Sequence, residues 1–189
     1  MEFYNDSLNV DEYEKMCSEY DGSELYELLD TFLRKGATLL ELGCGPGNDV
    51  ENLMERYKVT GSDLSDEFLN RCRAKFPELP FLKLDAISID VDSKFNCIFS
   101  NKVLQHLTIE ELDKSLKRQQ NVLEKNGIFA HTFWLGDKEL TLEGMLFVYH
   151  DKLKLNKMIS KYFTVQSEYL YKEFEDGDSI FIIAKNDKF

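Results

Sequence analysis

Residues 38–57 constrain the fold of this chain more than any other segment. The apolar run at 38–42 ends at three alternating glycines, Gly43, Gly45 and Gly47. In residues 48–57, apolar side chains recur at spacings of three and four, which is typical of an amphipathic helix. A strand, a glycine loop and a helix in this order open a nucleotide-binding βαβ unit. Glycine suits the loop because it lets the backbone turn tightly and come close to a ligand.

Predicted strands and helices alternate along the rest of the chain. Two amino-terminal helices are predicted at 8–20 and 22–35, the second capped by Asp21 with Glu24. Further helices are predicted at 65–76, 108–125 and 150–162, and further strands at 58–62, 80–84, 95–100 and 127–134. The last two strands, 163–172 and 178–185, flank an Asp-Gly turn and should be antiparallel. This order predicts one α/β domain over residues 1–189 with a mainly parallel sheet.

Composition excludes several classes of function. The net charge is −12 and the Lys and Arg residues are not clustered, which argues against a nucleic-acid partner. A negative field favours a cationic or neutral substrate. The sequence has no apolar run near the ~18 residues of a membrane span, and its acidic start is unlike a signal peptide. Four widely spaced cysteines predict reduced thiols and no metal site. We therefore expect a cytoplasmic protein, with no membrane partner.

Acidic or small polar residues stand at the carboxyl ends of successive predicted strands: Glu41, Asp63, Asp85, Ser100 and Asn101. Ligands of doubly wound sheets bind outside these ends. Asp63 follows Gly43 by 20 residues, the spacing of an acid that accepts hydrogen bonds from ribose hydroxyls. A helix cap is the alternative role for Asp63, but Ser65 is predicted to fill it.

The glycine spacing decides between two kinds of nucleotide ligand. A dinucleotide fingerprint needs Gly-x-Gly-x-x-Gly, whereas here Asn48 stands at the third glycine position. Pro46 also lacks the N–H that a pyrophosphate would use. The carboxylates of Glu41, Asp63 and Asp85 would repel phosphates. They favour a ligand with a ribose, an adenine and a positively charged sulfur.

Four motifs in order carry a family resemblance over about residues 38–135: Glu-Leu-Gly-Cys-Gly-Pro-Gly from 41, Gly-Ser-Asp-Leu-Ser from 61, Leu-Asp-Ala from 84, and Asn-Cys-Ile-Phe-Ser-Asn-Lys-Val-Leu-Gln-His-Leu from 96. Together they resemble the class I S-adenosylmethionine-dependent methyltransferases. The resemblance implies S-adenosyl-L-methionine as cofactor and S-adenosyl-L-homocysteine as product. It also implies a three-layer Rossmann-like fold, whose seven-stranded, mainly parallel sheet has an antiparallel last strand.

The resemblance also implies where the cofactor binds. The three loop glycines would border the methionine moiety and the ribose, Asp63 would hold the ribose hydroxyls, and Leu64 would pack on the adenine. Asp85 and Ala86 would meet the adenine edge. The backbone carbonyl of Ser100 would accept from the methionine amino group. Tyr13 and Tyr20, in the helices of residues 1–36, would close over the cofactor. The predicted cofactor set is completed by Glu41, Cys44 and Asn101.

The methyl acceptor is the less defined half of the site. We expect a small molecule, cationic or neutral, that attacks in line through N, O or S. His106 is the predicted catalytic base, needed only if the acceptor must lose a proton; a structural hydrogen bond at a helix start is its alternative role. Trp134 ends the fifth predicted strand and is expected to face the acceptor, although it could equally lie in the core. The long loop at 135–149 predicts acceptor contacts at Glu139, Glu143 and Tyr149.

Other functions stay open from the sequence alone. A methyltransferase-like module could bind S-adenosylmethionine without turnover and act through a partner protein. A nicotinamide dehydrogenase is disfavoured by the glycine spacing. We expect a monomer or a weak homodimer.

Overall fold

A central sheet flanked by helices organises the molecule. The computed structural model describes residue 4 and residues 6–188, so residues 1–3, 5 and 189 of the predicted domain lie outside the described part. The helices are α1 (Ser7–Met16), α2 (Ser23–Asp30), α3 (Asn48–Leu53), α4 (Asp66–Lys75), α5 (Ile109–Val122) and α6 (Lys152–Ile159), with a 3₁₀ turn at Leu104–His106. The strands are β1 (Thr38–Leu42), β2 (Lys58–Asp63), β3 (Phe81–Lys83), β4 (Phe95–Ser100), β5 (Leu123–Trp134), β6 (Glu139–Leu142), β7 (Met145–Val148), β8 (Thr164–Tyr171) and β9 (Ser179–Lys185).

Seven of these strands form one sheet in the order β3-β2-β1-β4-β5-β9-β8. The first five strands of this order run parallel, and β9 is antiparallel to both β5 and β8. The predicted fold class, including the antiparallel last strand, is therefore confirmed. The chain leaves β1 first to one side and later to the other, so the strand order reverses between β1 and β4. A ligand crevice is expected outside the carboxyl ends of these two strands.

Each face of the sheet carries its own apolar core, because successive strand residues point to opposite faces. Leu39 and Cys97 pack with the buried sides of α2, α3 and α4. Leu40 and Ile98 pack with α5 and α6. The result is three layers, helices on sheet on helices. Among the helices of the described part, none combines the length and apolarity that crossing a bilayer requires.

Helix caps explain where two helices begin and correct a third. The Ser65 hydroxyl accepts from the Phe68 N–H at 3.1 Å and starts α4, as predicted. Thr108 and Glu111 form the predicted capping box of α5. The predicted box of Asp21 with Glu24 is wrong, because Gly22 occupies the cap of α2. The Asp21 carboxylate instead accepts from the Ser23 N–H at 2.9 Å.

Several predicted boundaries also change. Helix α1 ends at Met16, four residues before the predicted end at residue 20. Helix α2 ends at Asp30, well before residue 35. Helix α5 ends at Val122 and β5 begins at once at Leu123, four residues before the predicted strand start at Gly127. The predicted loop 135–149 is largely an antiparallel hairpin, in which β6 pairs with β7. The two residues of its turn, Glu143 and Gly144, both have positive φ (51° and 79°), as a tight hairpin turn requires.

Candidate active site

A cavity of about 390 Å³ lies at the carboxyl ends of the central strands. Its volume is in the range of small-molecule sites. The structure brings these sequence-predicted residues together on its wall: Tyr13, Gly43, Gly45, Asp63, Leu64, Asp85, Ala86, Asn101 and His106. The glycine loop, the ends of β2 and β4 and the segment after β3 therefore meet at one site.

The remaining predicted cofactor residues do not line this cavity. Glu41, Cys44 and Ser100 are buried. Gly47 begins α3 as its left-handed cap. The Tyr20 hydroxyl accepts from Asn101 Nδ2 at 2.7 Å, so Tyr20 reaches the site through that side chain.

The three loop glycines have positive φ (66°, 48° and 82°) but face different surroundings. A Cβ at Gly43 would lie 2.5 Å from the Val103 side chain, and one at Gly47 would lie 2.9 Å from the Phe76 ring. A Cβ at Gly45 would meet its nearest neighbour, the Tyr13 ring, only at 3.8 Å. Packing thus requires the outer two glycines, while Gly45 keeps its open side next to Tyr13 on the cavity wall.

Asp63 holds the glycine loop in place through its carboxylate. Oδ2 accepts from the Gly45 N–H at 2.9 Å and Oδ1 accepts from the Ser65 N–H at 2.8 Å. Burial raises the pKa of Asp63, and these backbone hydrogen bonds oppose the rise. A carboxylate has about four lone-pair positions. Each Asp63 oxygen therefore retains acceptor capacity for a ligand hydroxyl.

Glu41 places a second carboxylate behind the loop. Its side chain is 1% exposed, and Oε2 has no hydrogen-bond partner among the described residues. Burial raises its pKa well above the usual range, and nearby Asp49 adds to the effect. Burying an uncompensated carboxylate is costly, so a cationic ligand at this end of the sheet would be favoured.

Asp49 is a site residue that the sequence interpretation missed. It lies in the first turn of α3, where it accepts from the Tyr26 hydroxyl at 2.6 Å and from Asn101 Nδ2 at 3.2 Å. Burial raises its pKa. The available signal was an acidic side chain in the first turn of the helix that follows the glycine loop.

Comparison with known proteins shows which family this part of the chain is similar to. Residues 39–127 match the family described as "Methyltransferase domain". The trans-aconitate 2-methyltransferase of Rhizobium rhizogenes is 39% identical over 96 residues, which cover 48% of this chain and 36% of the relative. An uncharacterized methyltransferase of Bacillus licheniformis is 35% identical over 127 residues, 64% of this chain and 57% of that protein. Residues 39–127, a little under half of the chain, therefore match a methyltransferase domain, which confirms the predicted resemblance to the class I S-adenosylmethionine-dependent methyltransferases.

Solved structures show the same fold. The 1,6-didemethyltoxoflavin-N1-methyltransferase of Burkholderia thailandensis, with 1,6-didemethyltoxoflavin and S-adenosylhomocysteine bound, has a TM-score of 0.78. It is 18% identical, and the match covers 93% of this chain and 82% of that one. The N-methyltransferase NodS of Bradyrhizobium japonicum, in complex with S-adenosylhomocysteine, has a TM-score of 0.71 at 14% identity, over 88% and 85% of the two chains. The match to the trans-aconitate methyltransferase spans about a third of that relative's length.

His106 lines the same cavity. Its Nδ1 is 2.8 Å from the carbonyl oxygen of Leu146. Since a carbonyl only accepts, Nδ1 carries the proton of the neutral ring and Nε2 keeps its lone pair. Burial lowers the pKa of His106, although the bond to Leu146 opposes this. The ring therefore makes a structural hydrogen bond to the hairpin, and not to a helix start as the alternative role predicted, and it keeps a free lone pair on Nε2.

The hairpin of β6 and β7 supplies the wall beside His106. Gly144, Met145 and Leu146 line the cavity. The predicted acceptor contacts do not: Trp134 stacks on Phe147 at 5.6 Å, and Glu139 and Tyr149 line a separate cavity of about 360 Å³. The correction has a simple cause. A hairpin turns its tip into the site, whereas Glu139 and Tyr149 lie at its base.

Lys102 is the only lysine or arginine that lines this cavity in the described chain. Its ammonium lies 2.5 Å from a carboxylate oxygen of Glu173 and 4.5 Å from the centre of the Tyr20 ring. Lys102 also has a positive φ of 59°, which is uncommon for a residue with a side chain. Because its charge is already paired, the cavity offers no free cation to an anionic acceptor.

The two other histidines lie outside the cavity. His131 is fully buried in β5, as predicted for a core histidine. His150 is 4% exposed and lines the separate cavity beside α6. His106 is therefore the histidine that the fold places at the site.

Proposed function

We propose that this chain is an S-adenosylmethionine-dependent methyltransferase that transfers the methyl group to a small-molecule acceptor by direct in-line displacement. One juxtaposition carries the proposal. A single cavity joins a glycine loop and carboxylates suited to a cationic nucleoside at one end to a neutral histidine at the other.

The residues at the first end fit S-adenosylmethionine. Asp63 has acceptor capacity for the two ribose hydroxyls, and its hydrogen bond from the Gly45 N–H fixes the glycine loop beside it. The unpartnered Oε2 of Glu41 lies behind the loop, and because burial raises the pKa of this carboxyl, a cationic methionine end would favour its ionised form. Leu64 and Ala86 offer the apolar wall for the adenine. When bound, the cofactor supplies a methyl group already activated on a sulfonium.

The protein's own task is to position the acceptor and to move a proton where one must leave. His106 Nε2 can accept the proton that an N–H, O–H or S–H nucleophile loses, while the Leu146 carbonyl fixes the ring from the opposite side. A positioned base of this kind contributes typically ~10²–10⁴-fold to the rate. Holding two reactants in line contributes up to ~7–11 kcal/mol in the best cases.

The acceptor end favours a neutral or cationic molecule with apolar surface. Val103, Leu107 and Met145 provide apolar contacts near His106. Glu111 is ionised, because its hydrogen bonds to Thr108 lower its pKa. Negative charge at Glu111 and a neutralised Lys102 both disfavour a polycarboxylate acceptor.

Ligand-induced stabilisation tests the cofactor assignment. A ligand at 100 times its Kd adds ~2.7 kcal/mol to the free energy of unfolding. For a chain of this size each kcal/mol raises Tm by roughly 2–4 °C. We expect S-adenosylhomocysteine to raise Tm by about 5–10 °C and NAD⁺ to leave it unchanged. A shift with NAD⁺ and none with S-adenosylhomocysteine would refute the proposal.

Methyl transfer itself is tested with labelled S-adenosylmethionine. The acceptor panel contains aromatic amines, phenols and thiols, with trans-aconitate as the polycarboxylate. We expect transfer to neutral or cationic acceptors and not to trans-aconitate. Tight cofactor binding without transfer to any acceptor would instead indicate a binding module.

A further inference from the structure

Four polar side chains form a continuous hydrogen-bonded chain beneath the cavity. Ser100 Oγ lies 2.6 Å from His131 Nδ1, and His131 Nε2 lies 2.9 Å from Gln119 Oε1. Gln119 Nε2 donates to Ser115 Oγ at 3.1 Å, and Ser115 Oγ donates to the carbonyl oxygen of Ala86 at 2.6 Å. Ser100, Ser115, Gln119 and His131 are all 0% exposed. We call these four side chains the buried relay.

The direction of every bond in the buried relay follows from its last member. The Ala86 carbonyl only accepts, so Ser115 must give it its single hydroxyl proton. Gln119 must then donate to Ser115 through its amide nitrogen, which leaves its oxygen to accept from His131 Nε2–H. His131 Nδ1 is therefore unprotonated and accepts from the Ser100 hydroxyl. Burial lowers the pKa of His131 to about 3, which keeps the ring neutral.

The buried relay connects the two ends of the proposed cofactor site. Ser100 ends β4 and directly precedes Asn101 and Lys102, which line the cavity. Ala86 lines the cavity on the side assigned to the adenine. Between them, Ser115 and Gln119 stand one turn apart on α5, with His131 on β5. Helix α5 and strand β5 thus link two parts of the cofactor end, the end of β4 and the segment after β3.

The surroundings of the buried relay are apolar. His131 packs against the Phe129 ring at 4.1 Å, and Leu112 and Leu116 of α5 belong to the same core. Apolar residues of similar size could fill these positions, whereas buried polar groups are costly unless fully hydrogen-bonded. We propose that Ser115, Gln119 and His131 are positioning residues that hold Ser100 and Ala86 in place for the cofactor. This inference rests on the proposed function.

Two ligands distinguish effects on the methionine part of the cofactor site from effects on its adenosine part. S-adenosylhomocysteine contains both adenosine and the amino acid, whereas 5′-methylthioadenosine lacks the amino acid. In His131→Phe the Ser100 hydroxyl loses its acceptor, so the methionine end should loosen. We expect the Kd for S-adenosylhomocysteine to rise roughly 10-fold, as for one lost hydrogen bond, and the Kd for 5′-methylthioadenosine to change less than about 2-fold.

The opposite end gives the complementary result. In Ser115→Ala the Ala86 carbonyl loses its donor, so we expect both ligands to weaken by a similar factor, roughly 10-fold. The matched control is Gln120→Met on the same helix. The Gln120 amide donates to the carbonyl oxygens of Tyr162 and Lys188, away from the cavity, so its loss should leave both Kd values unchanged.

Calorimetric titration of the full chain decides between positioning and general support. Equal weakening of both ligands by His131→Phe, unchanged affinities in both variants, or an equal effect of Gln120→Met would each overturn the inference. If His131→Phe does not fold, Ser100→Ala removes the same bond with a smaller change and must show the same contrast. Wild-type protein that binds neither ligand would instead refute the proposed function.

Discussion

Replacement of Asp63 by asparagine removes the charged acceptor from the proposed ribose site and also disturbs one of its two backbone hydrogen bonds. In the native chain, the two carboxylate oxygens accept from the Gly45 and Ser65 N–H groups and keep lone pairs for two ligand hydroxyls. An amide has one oxygen and one NH₂ group. In Asp63→Asn the NH₂ group must face either the Gly45 N–H or the Ser65 N–H, so a donor opposes a donor.

The magnitude follows from the bonds that are lost. A hydrogen bond to a charged group contributes about 1.5–3 kcal/mol, so two ribose hydroxyls account for about 3–6 kcal/mol. Each 1.4 kcal/mol is a factor of ten in Kd, so we expect affinity for S-adenosylhomocysteine to fall about 10²- to 10⁴-fold. The 2′,3′-dideoxy analogue lacks both hydroxyls and should bind wild type and Asp63→Asn with a much smaller difference.

Calorimetric titration checks this expectation, with Asp66→Asn as the matched control. Asp66 loses the same charge at the start of α4, but its carboxylate pairs with Lys83 on the surface. The control should bind like wild type. If Asp63→Asn folds normally and binds S-adenosylhomocysteine within about threefold of wild type, Asp63 is not the ribose acceptor.

Four further substitutions separate stability from function. Glu41→Gln should raise the Tm of the free chain by a few °C at pH 7 and weaken S-adenosylhomocysteine binding. Burial raises the folded-state pKa of Glu41, so the wild type loses stability as pH rises from the ordinary pKa of a glutamate toward the folded one. Melts at several pH values should therefore show the Tm difference between variant and wild type widening as pH rises. His106→Gln should lower kcat/KM ~10²–10⁴-fold for an acceptor that loses a proton. It should also abolish the acidic limb of the pH–rate profile, which lies below pH 6.5 because burial lowers the pKa of His106. An unchanged acidic limb would contradict the role of His106 as base. Gly45→Ala should mainly weaken cofactor binding, whereas Gly47→Ala should mainly lower Tm because its Cβ would meet the Phe76 ring. Calorimetric titration and thermal melts of both variants check this, and the reverse pattern would contradict it.

The cofactor half of the site was predictable because its signals are local. An apolar run, alternating glycines and a helix pattern within about 20 residues predict β1, the loop and α3 directly. The ribose-binding role proposed for Asp63 was predicted from its spacing of 20 residues after Gly43. The fold and the resemblance to the methyltransferase family are confirmed, whereas the roles of individual site residues, the single-domain organisation, the cytoplasmic location and the weakly associating state stay predictions.

The hairpin at 139–148 gave no comparable signal. All four residues of β6 are exposed, so the alternation of buried and exposed side chains that marks a strand is missing. Its turn places Glu143 at a φ of 51°, where glycine or asparagine would have pointed to a hairpin. The expectation of an open loop, and with it of acceptor contacts at Glu139 and Tyr149, followed from this missing pattern.

Long-range contacts are the second kind of feature that the sequence could not supply. The partners in the buried relay are separated by up to 31 residues, and Tyr26 reaches Asp49 across 23. Each such pair depends on which helix face meets which strand. The sequence placed His131 correctly in the core but gave no indication of what it would bind there.

The two ends of the cavity are built in physically different ways. The cofactor end rests on parallel strands buried on both faces and on glycines whose conformation the surrounding packing enforces. The acceptor end rests on a two-stranded hairpin, a unit that has marginal stability by itself in water. Its anchors are the stacking of Phe147 on Trp134 and the bond from His106 to Leu146. Since the same bond fixes the proton on Nδ1, a change in the hairpin alters the acceptor wall and the base together. The cofactor end does not depend on that segment, so acceptor specificity can change through the hairpin while the methyl-donor site is preserved.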